Sequence, residues 1–243
     1  MKRVALICQL ILEVISGQLP RTHLISVDEK TGIQALERIT PTAQMEKGQV
    51  RRIEPEYTRH GTTCLMAAFD VGKSNILNHW TNPTRKEEDF LFFVQQTIAK
   101  IPEQDQVVIL LDQLNTHMSA SLVTWVAGLE NYKGHLGIKR YKGILENKKS
   151  RLEFLENPNH RIRFVFTPKH CSWLNPVENW FAKLQAHVIK YGNFSSVKEL
   201  ENKIDRYVIF YNKCLVKTLK WKFIGFVKAR KLNCLKAPYL HLL

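Results

Sequence analysis

The spacing of apolar residues changes along the chain, and each change marks an element. Residues 3–16 read as a helix. Its apolar start looks like a signal peptide, but Gln9 and Glu13 interrupt it and no small-residue cleavage site follows cleanly. His23 to Val27 is a short apolar run of strand length, ending on Asp28-Glu29-Lys30. Residues 31–60 carry Pro41, Gly48 and Pro55 as breakers and are predicted to be irregular. Thr62 to Phe69 is a second strand, and Ile76 to Trp80 its antiparallel partner across the turn that begins at Asp70. Phe90, Phe93, Val94, Ile98 and Ile101 recur at helical spacing behind Glu87, Glu88 and Asp89, which predicts a helix over Lys86–Ile101.

Val107 to Leu111 is an unbroken apolar run that stops at Asp112. Such runs mark strands buried on both faces, as at the centre of a mixed sheet. Ser119 is placed to cap a helix reaching Leu129. Residues 130–160 show few apolar positions before Leu152, Phe154 and Leu155, and are expected to form an inserted, partly ordered segment. Arg161 to Phe166 is a buried strand, followed by a polar hinge and an abrupt helix start. Asn175 suits an N-cap, Pro176 the first helical position, and Glu178 falls in the first turn. Val177, Trp180, Phe181, Leu184 and Val188 make that helix's core face as far as Lys190. Gly192 ends it, and Ser195 is expected to cap a last helix carrying Val197, Leu200, Ile204, Tyr207, Val208 and Tyr211.

Charge narrows the partners. Lys and Arg number 36 against 22 Asp and Glu, a net +14 on 243 residues. That excess points to a polyanion, and nucleic acid is the commonest. A membrane partner is not expected, since no apolar run approaches the roughly 20 residues of a spanning helix. Basic residues collect in three places: Lys47, Arg51, Arg52, Arg59 and His60; the 130–160 segment with Lys133, Lys139, Arg140, Lys142, Lys148, Lys149 and Arg151; and a tail from Lys213 to Lys236 without an acidic residue. The 130–160 segment is either a solvated loop or a clamp on phosphates. Cys8, Cys64, Cys171, Cys214 and Cys234 are scattered with no Cys-x-x-Cys pair, which argues for reduced thiols in a cytosolic protein. Gly72-Lys73-Ser74 resembles the end of a phosphate-binding loop, but position 67 is Ala where the upstream glycine is required, so it reads as a hairpin turn.

Three acids carry the chemistry. Asp28 and Asp112 stand at the C-terminal ends of predicted strands, where a sheet holds ligands rigidly at an open edge. Glu178 stands in the first turn of a helix, where it is either a capping-box residue reaching back to the Asn175 amide or a third functional carboxylate. Three converging carboxylates repel one another unless a cation neutralises them, and oxygen-only ligands suit Mg²⁺ or Mn²⁺. Two such ions, about 3.5–4 Å apart, would activate a water or 3′-hydroxyl and stabilise the leaving oxygen of a phosphodiester.

The motifs around these acids also occur together. Val27-Asp-Glu-Lys-Thr-Gly-Ile-Gln-Ala-Leu-Glu-Arg38, Arg59-His-Gly61, Leu111-Asp-Gln-Leu-Asn-Thr-His117, Thr167-Pro-Lys-His-Cys-Ser-Trp-Leu-Asn-Pro-Val-Glu178, Gly192-Asn-Phe-Ser-Ser-Val-Lys-Glu-Leu200, Tyr211-Asn-Lys213 and Lys220-Trp-Lys-Phe223 follow one another in order. In this set the chain resembles the DDE transposases of bacterial insertion sequences, in the branch related to mariner-like elements. The resemblance implies an α/β, ribonuclease-H-like fold with a mixed five-stranded sheet flanked by helices, spanning residues 1–224, and a basic C-terminal tail at 225–243. It implies that Asp28, Asp112 and Glu178 are the catalytic metal ligands for Mg²⁺ or Mn²⁺. Asn115 and His117 are expected to position the loop after the second acid. Asn175 is expected to cap and orient the helix of the third, with Trp173 packed beneath it. Duplex DNA is the implied partner, with Arg59, His60, Lys139, Arg140, Lys142, Lys169 and His170 as expected contacts. A homodimer and a bacterial cytoplasmic location follow from the resemblance alone.

The chain departs from the family pattern in places. The interval from Asp112 to Glu178 is wider than in mariner-like enzymes, and the 130–160 segment accounts for it. Gln113 and Pro176 stand where relatives often have Asn and Gln. The helix-turn-helix region with which family members normally begin is missing, so an inactive remnant that binds DNA non-specifically is the alternative expectation. A cellular ribonuclease-H-like hydrolase fits the motif set less well.

Overall fold

The structure is a computed structural model that describes residues 2–39 and 56–224. Lys47, Arg51, Arg52 and the expected tail at 225–243 lie outside the described residues. Five strands form one sheet: β1 (Thr22–Arg38), β2 (Tyr57–Asp70), β3 (Asn75–Asn82), β4 (Gln106–Leu111) and β5 (Ile162–Phe166). Their order is β3-β2-β1-β4-β5. β1 runs antiparallel to β2 and parallel to β4, and β4 runs parallel to β5, so the sheet is mixed.

The helices cover both faces because the central strands are apolar on both. β4 sends Val108 and Leu110 to one side and Val107, Ile109 and Leu111 to the other. On the first side lie α1 (Lys2–Ile15), α5 (Val177–Leu184) and α6 (Val197–Phe210), contributing Ile7, Ile11, Trp180 and Ile204 to the core. On the second lie α2 (Glu87–Ile98), α3 (Ala120–Leu129) and α4 (Lys148–Leu155), contributing Phe90, Phe93, Leu122 and Leu155. Each fully buried side chain of this kind contributes about 1.5–3 kcal/mol. Arg3 ties the start of α1 to the end of β5, donating from Nε to Phe166 O (2.7 Å) and pairing with Glu156.

Several predicted elements have other limits. The outer half of the β1–β2 hairpin, predicted irregular, is paired: Ile33 with Thr63, Leu36 with Arg59 and Arg38 with Tyr57. Two register shifts, between Lys30 and Ile33 and between Gln34 and Leu36, break the two-residue alternation that would reveal a strand. Gly61 adopts φ +116°, and a Cβ there would come 3.0 Å from Val197 Cγ2, so glycine lets β2 pass under α6. The cap of α6 is Ser196, which accepts from the Glu199 amide (3.1 Å); Ser195 instead donates its hydroxyl to the Glu199 carboxylate (2.8 Å). α2 stops at Ile98, although Ile101 stays buried beyond it. The α5 helix continues through a wider turn, Gln185–Ile189.

The basic insertion is more structured than its composition suggested. Asn147 caps α4, accepting from the Ser150 amide (3.0 Å). Arg151 donates to Met118 O (2.6 Å) and Leu145 O (2.9 Å), and Tyr132 meets Phe154 edge-on at 5.3 Å. The Gly72-Lys73-Ser74 segment is a tight turn, with Asp70 Oδ1 accepting from the Lys73 amide (3.0 Å).

Candidate active site

Strand alternation in β1 decides what its polar residues can touch. Ser26 and Asp28 face α5, whereas Val27 and Glu29 face the side of α2 and α3. Asn175, just ahead of α5, is buried to 1% exposure and locks onto this edge. Its Nδ2 donates to Val27 O (2.9 Å) and Asp28 Oδ2 (3.2 Å). Its Oδ1 accepts from the Ser26 hydroxyl, and the Ser26 oxygen in turn accepts from the Val177 amide (2.8 Å). The start of α5 is therefore bolted sideways to β1.

Three expectations are corrected here. The Asn175 side chain does not cap α5; only its main-chain oxygen joins the first turn, accepting from the Glu178 amide (3.1 Å). The capping box does not form either, because the Asn175 amide donates to Ser172 O (2.8 Å) and not to Glu178. The Asn175 side chain is recruited across the chain by groups whose burial demands partners. Trp173 is not beneath the helix: it is 46% exposed, edge-on to Phe223 at 4.9 Å, and Leu174 is the buried member of that turn. The short turn Ser172–Leu174 rotates successive side chains by about 120°, so only one of the adjacent pair can face inward.

The second acid follows β4. Asp112 Oδ1 accepts from the Leu114 amide (2.9 Å), which closes the turn into the one-turn helix Asn115–Met118. His117 lies in that turn with its side chain fully buried, its ring 4.3 Å from the Phe90 ring. Its Nδ1 is 2.8 Å from Asp112 Oδ1 and 3.3 Å from Asp112 O, so one N–H is shared between them. Its Nε2 is 3.0 Å from Glu29 Oε1. Asn115, by contrast, is exposed and accepts at Oδ1 from Lys148 Nζ (3.2 Å); Lys148 also donates to Gln113 O (2.9 Å). Asn115 thus links the loop to the insertion.

The electrostatics connect the acids. Burial lifts the Asp28 carboxyl to about 7; the Glu29 amide works against this, and the charges of Glu178 and Asp112 add to it. The hydrogen bond from His117 holds the Asp112 carboxyl below its usual range despite partial burial, with help from the Leu114 amide and the charge of Lys148. Burial alone would push His117 down, but its bonds to Asp112 and Glu29 and their charges prevail and raise it to about 9. A ring with acceptors at both nitrogens must donate from both, which is the imidazolium form.

These features test whether divalent metal suits the site. Among the described residues, no three His, Cys, Asp or Glu side chains stand close enough around one point to hold an ion as they are. The donor set nevertheless fits: Asp28, Asp112 and Glu178 offer only oxygens, and the last two raise Asp28 by repulsion that a cation would reverse.

The expected DNA contacts fall on three separate segments. Arg59 and His60 are exposed on the outer half of β2; Arg59 stacks on Tyr57 and His60 is held by Glu37 (2.7 Å). Lys139, Arg140 and Lys142 are exposed in the insertion, with Lys139 3.8 Å from Glu87. Lys169 and His170 are exposed in the hinge after β5, His170 at φ +61°. Sequence reading missed Ser26, Glu29 and Lys148. Lys148 was hidden in a basic run. Glu29 had a signal, since the residue after Asp28 in a strand must point to the opposite face.

A mixed five-stranded sheet flanked by helices, with Asp28 and Asp112 presented by adjacent strands, is the ribonuclease-H-like arrangement of DDE transposase catalytic domains. Residues 23–201 match the profile of the DDE superfamily endonucleases, and the chain belongs to that family. Solved structures of similar fold agree. The Mos1 mariner paired end complex with Mn superposes with a TM-score of 0.52 at 15% identity, covering 86% of this chain and 54% of that one. A pre-cleavage Mos1 transpososome gives 0.54 at 14% identity, covering 86% and 55%. The Mos1 transposase catalytic domain with Raltegravir and Mg gives 0.50 at 12% identity, covering 85% and 81%. The chain spans about half the length of the Mos1 chains in the two DNA-complex structures. No curated protein matches it in sequence.

Proposed function

We propose that the chain is the catalytic domain of a mariner-like insertion-sequence transposase, cleaving DNA and transferring strands at the element's ends. The carrying observation is the shared electrostatics of Asp28, Asp112 and Glu178 on a frame held by Asn175 and His117. Mg²⁺ or Mn²⁺ held by these three carboxylates would supply an activated oxygen nucleophile and relieve charge on the leaving oxygen. Asn175 orients Asp28 and fixes where α5 begins, and so where Glu178 points. His117 orients Asp112. Lys148, tied to the loop after β4, keeps a positive charge near Asp112 and gives incoming phosphate a contact. The exposed cations Arg59, Lys139, Arg140, Lys142 and Lys169, with the His60 and His170 rings, are proposed to hold the DNA backbone.

The test is nicking of duplex DNA by the purified chain with Mg²⁺ or Mn²⁺. The proposal expects cleavage that stops with EDTA and is abolished in Asp112→Asn and Glu178→Gln. Nicking retained by those variants, in preparations free of contaminating nuclease, would contradict it. EDTA-insensitive DNA binding with no cleavage at any metal concentration would favour the inactive remnant. Preference for RNA–DNA hybrid over duplex DNA would favour a cellular hydrolase.

A further inference from the structure

We propose that Glu29 is a positioning residue of this site: its buried carboxylate holds His117, and His117 holds Asp112 in the orientation in which it serves as an ion ligand. The inference rests on the reading of Asp112 as a metal ligand.

Glu29 is a carboxylate held against an apolar layer. It sits beside Asp28 in β1 but points to the other face of the sheet, with its side chain only 4% exposed. Apolar residues fill that face around it, among them Val27, Phe90 and Met118. A carboxylate in such a place requires a partner of opposite charge or several donors. Its partner is His117, 3.0 Å away and fully buried.

The geometry leaves His117 little freedom. Phe90 packs on the ring at 4.3 Å, Glu29 accepts at Nε2, and Asp112 accepts at Nδ1. Without Glu29, Nε2 loses its 3.0 Å partner and the ring is free to turn its Nδ1 edge away from Asp112. With Glu29 in place, Nδ1 always presents its N–H to Asp112. Only one Asp112 oxygen is engaged in this way: Oδ1 takes both the His117 and the Leu114 donors. Oδ2 carries neither of these bonds and the side chain is 45% exposed, which leaves that oxygen accessible to an ion. Groups hydrogen-bonded to a metal ligand shape its affinity, and their loss typically costs about 10–100-fold; His117 stands in that place toward Asp112, and Glu29 holds His117.

The adjacent acids of β1 therefore have divided tasks. Asp28 faces α5 as a ligand, and Glu29 faces the opposite layer and steers the ligand on the next strand.

The experiment uses the full chain, with Mn²⁺ binding followed by electron paramagnetic resonance and the histidine rings by ¹⁵N NMR. In the wild type, both His117 ring nitrogens are expected to show hydrogen-bonded shifts. Glu29→Ala is expected to lose the one at Nε2, to move the one at Nδ1, and to need about 10–100-fold more Mn²⁺ for half-occupancy. Glu29→Gln, which keeps an acceptor oxygen, should fall between the two, and Michaelis constants for DNA should stay unchanged at saturating Mn²⁺. A folded Glu29→Ala chain with wild-type Mn²⁺ half-occupancy would overturn the inference. Should Glu29→Ala not fold, Glu29→Gln decides: weaker binding supports the inference and wild-type binding overturns it. Mn²⁺ binding that survives Asp112→Asn would instead overturn the metal-site reading itself, and this inference with it.

Discussion

Replacing Asn175 by Ala tests whether the link between β1 and α5 is a working part of the site. Asn175 makes three side-chain bonds in a place that is 1% exposed. Its loss leaves Val27 O without the 2.9 Å donor, the Ser26 hydroxyl without its acceptor, and Asp28 Oδ2 without the 3.2 Å donor. Each buried group left unpaired costs about 1–3 kcal/mol. Ser26 keeps its bond from Val177, and water can reach Asp28 at 8% exposure, so the losses fall short of the full sum. A destabilisation of about 3 kcal/mol is expected. Urea unfolding followed by circular dichroism at pH 7 in EDTA measures it as a lower midpoint at unchanged slope. The substitution also removes a donor to ionised Asp28, so that carboxyl, already lifted to about 7, should rise further. A companion change, Asn175→Asp, adds an acid beside Asp28 and should destabilise more at pH 8 than at pH 5. An Asn175→Ala chain within about 0.5 kcal/mol of wild type, the range of an ordinary surface change, would refute the reasoning.

Three other outcomes are expected. In EDTA, stability should fall as pH rises from about 6.5 to about 9. The folded His117 binds its proton up to about 9, whereas an unfolded histidine releases it near 6.5, so the contribution is complete below the lower value and gone above the upper. The drop should be about 3 kcal/mol and flatten in His117→Gln, as urea midpoints across that range would show. Gly61→Ala, forced into a left-handed conformation against Val197, should lose about 1–3 kcal/mol in the same assay. Trp173→Ala should change stability by under about 1 kcal/mol, whereas Leu174→Ala should cost about 2–5 kcal/mol, as thermal melts would resolve.

The sequence was most legible where burial alone sets the pattern. β4 could be read because both its faces are covered, which leaves an unbroken apolar run with Asp112 at its end. α5 and α6 could be read because one face of each is covered. The outer half of the β1–β2 hairpin could not, because two register shifts scramble an alternation carried only by Ile33 and Ala35. Asp112 and Glu178 were legible as ends of elements; Asp28 was expected at a strand end, but β1 runs on through it to Arg38. The groups that hold them were not, because their partners are distant in sequence: Asn175 bonds across 147 positions to Asp28, and Glu29 across 88 to His117. Asn175 shows the difficulty plainly. An Asn before a helix is a local capping signal, and only the third dimension shows that its amide is spent on β1. The order within the insertion was not legible because Arg151 bonds inward to main-chain oxygens, and a count of charges treats every cation as facing water.

The most direct test of the account is anomalous diffraction from crystals of the chain grown with Mn²⁺. The account predicts manganese bound jointly by Asp28, Asp112 and Glu178, with His117 still bridging Asp112 to Glu29, and no manganese there in Asp112→Asn crystals. Manganese bound elsewhere, or none at these carboxylates at concentrations that support DNA nicking, would contradict it.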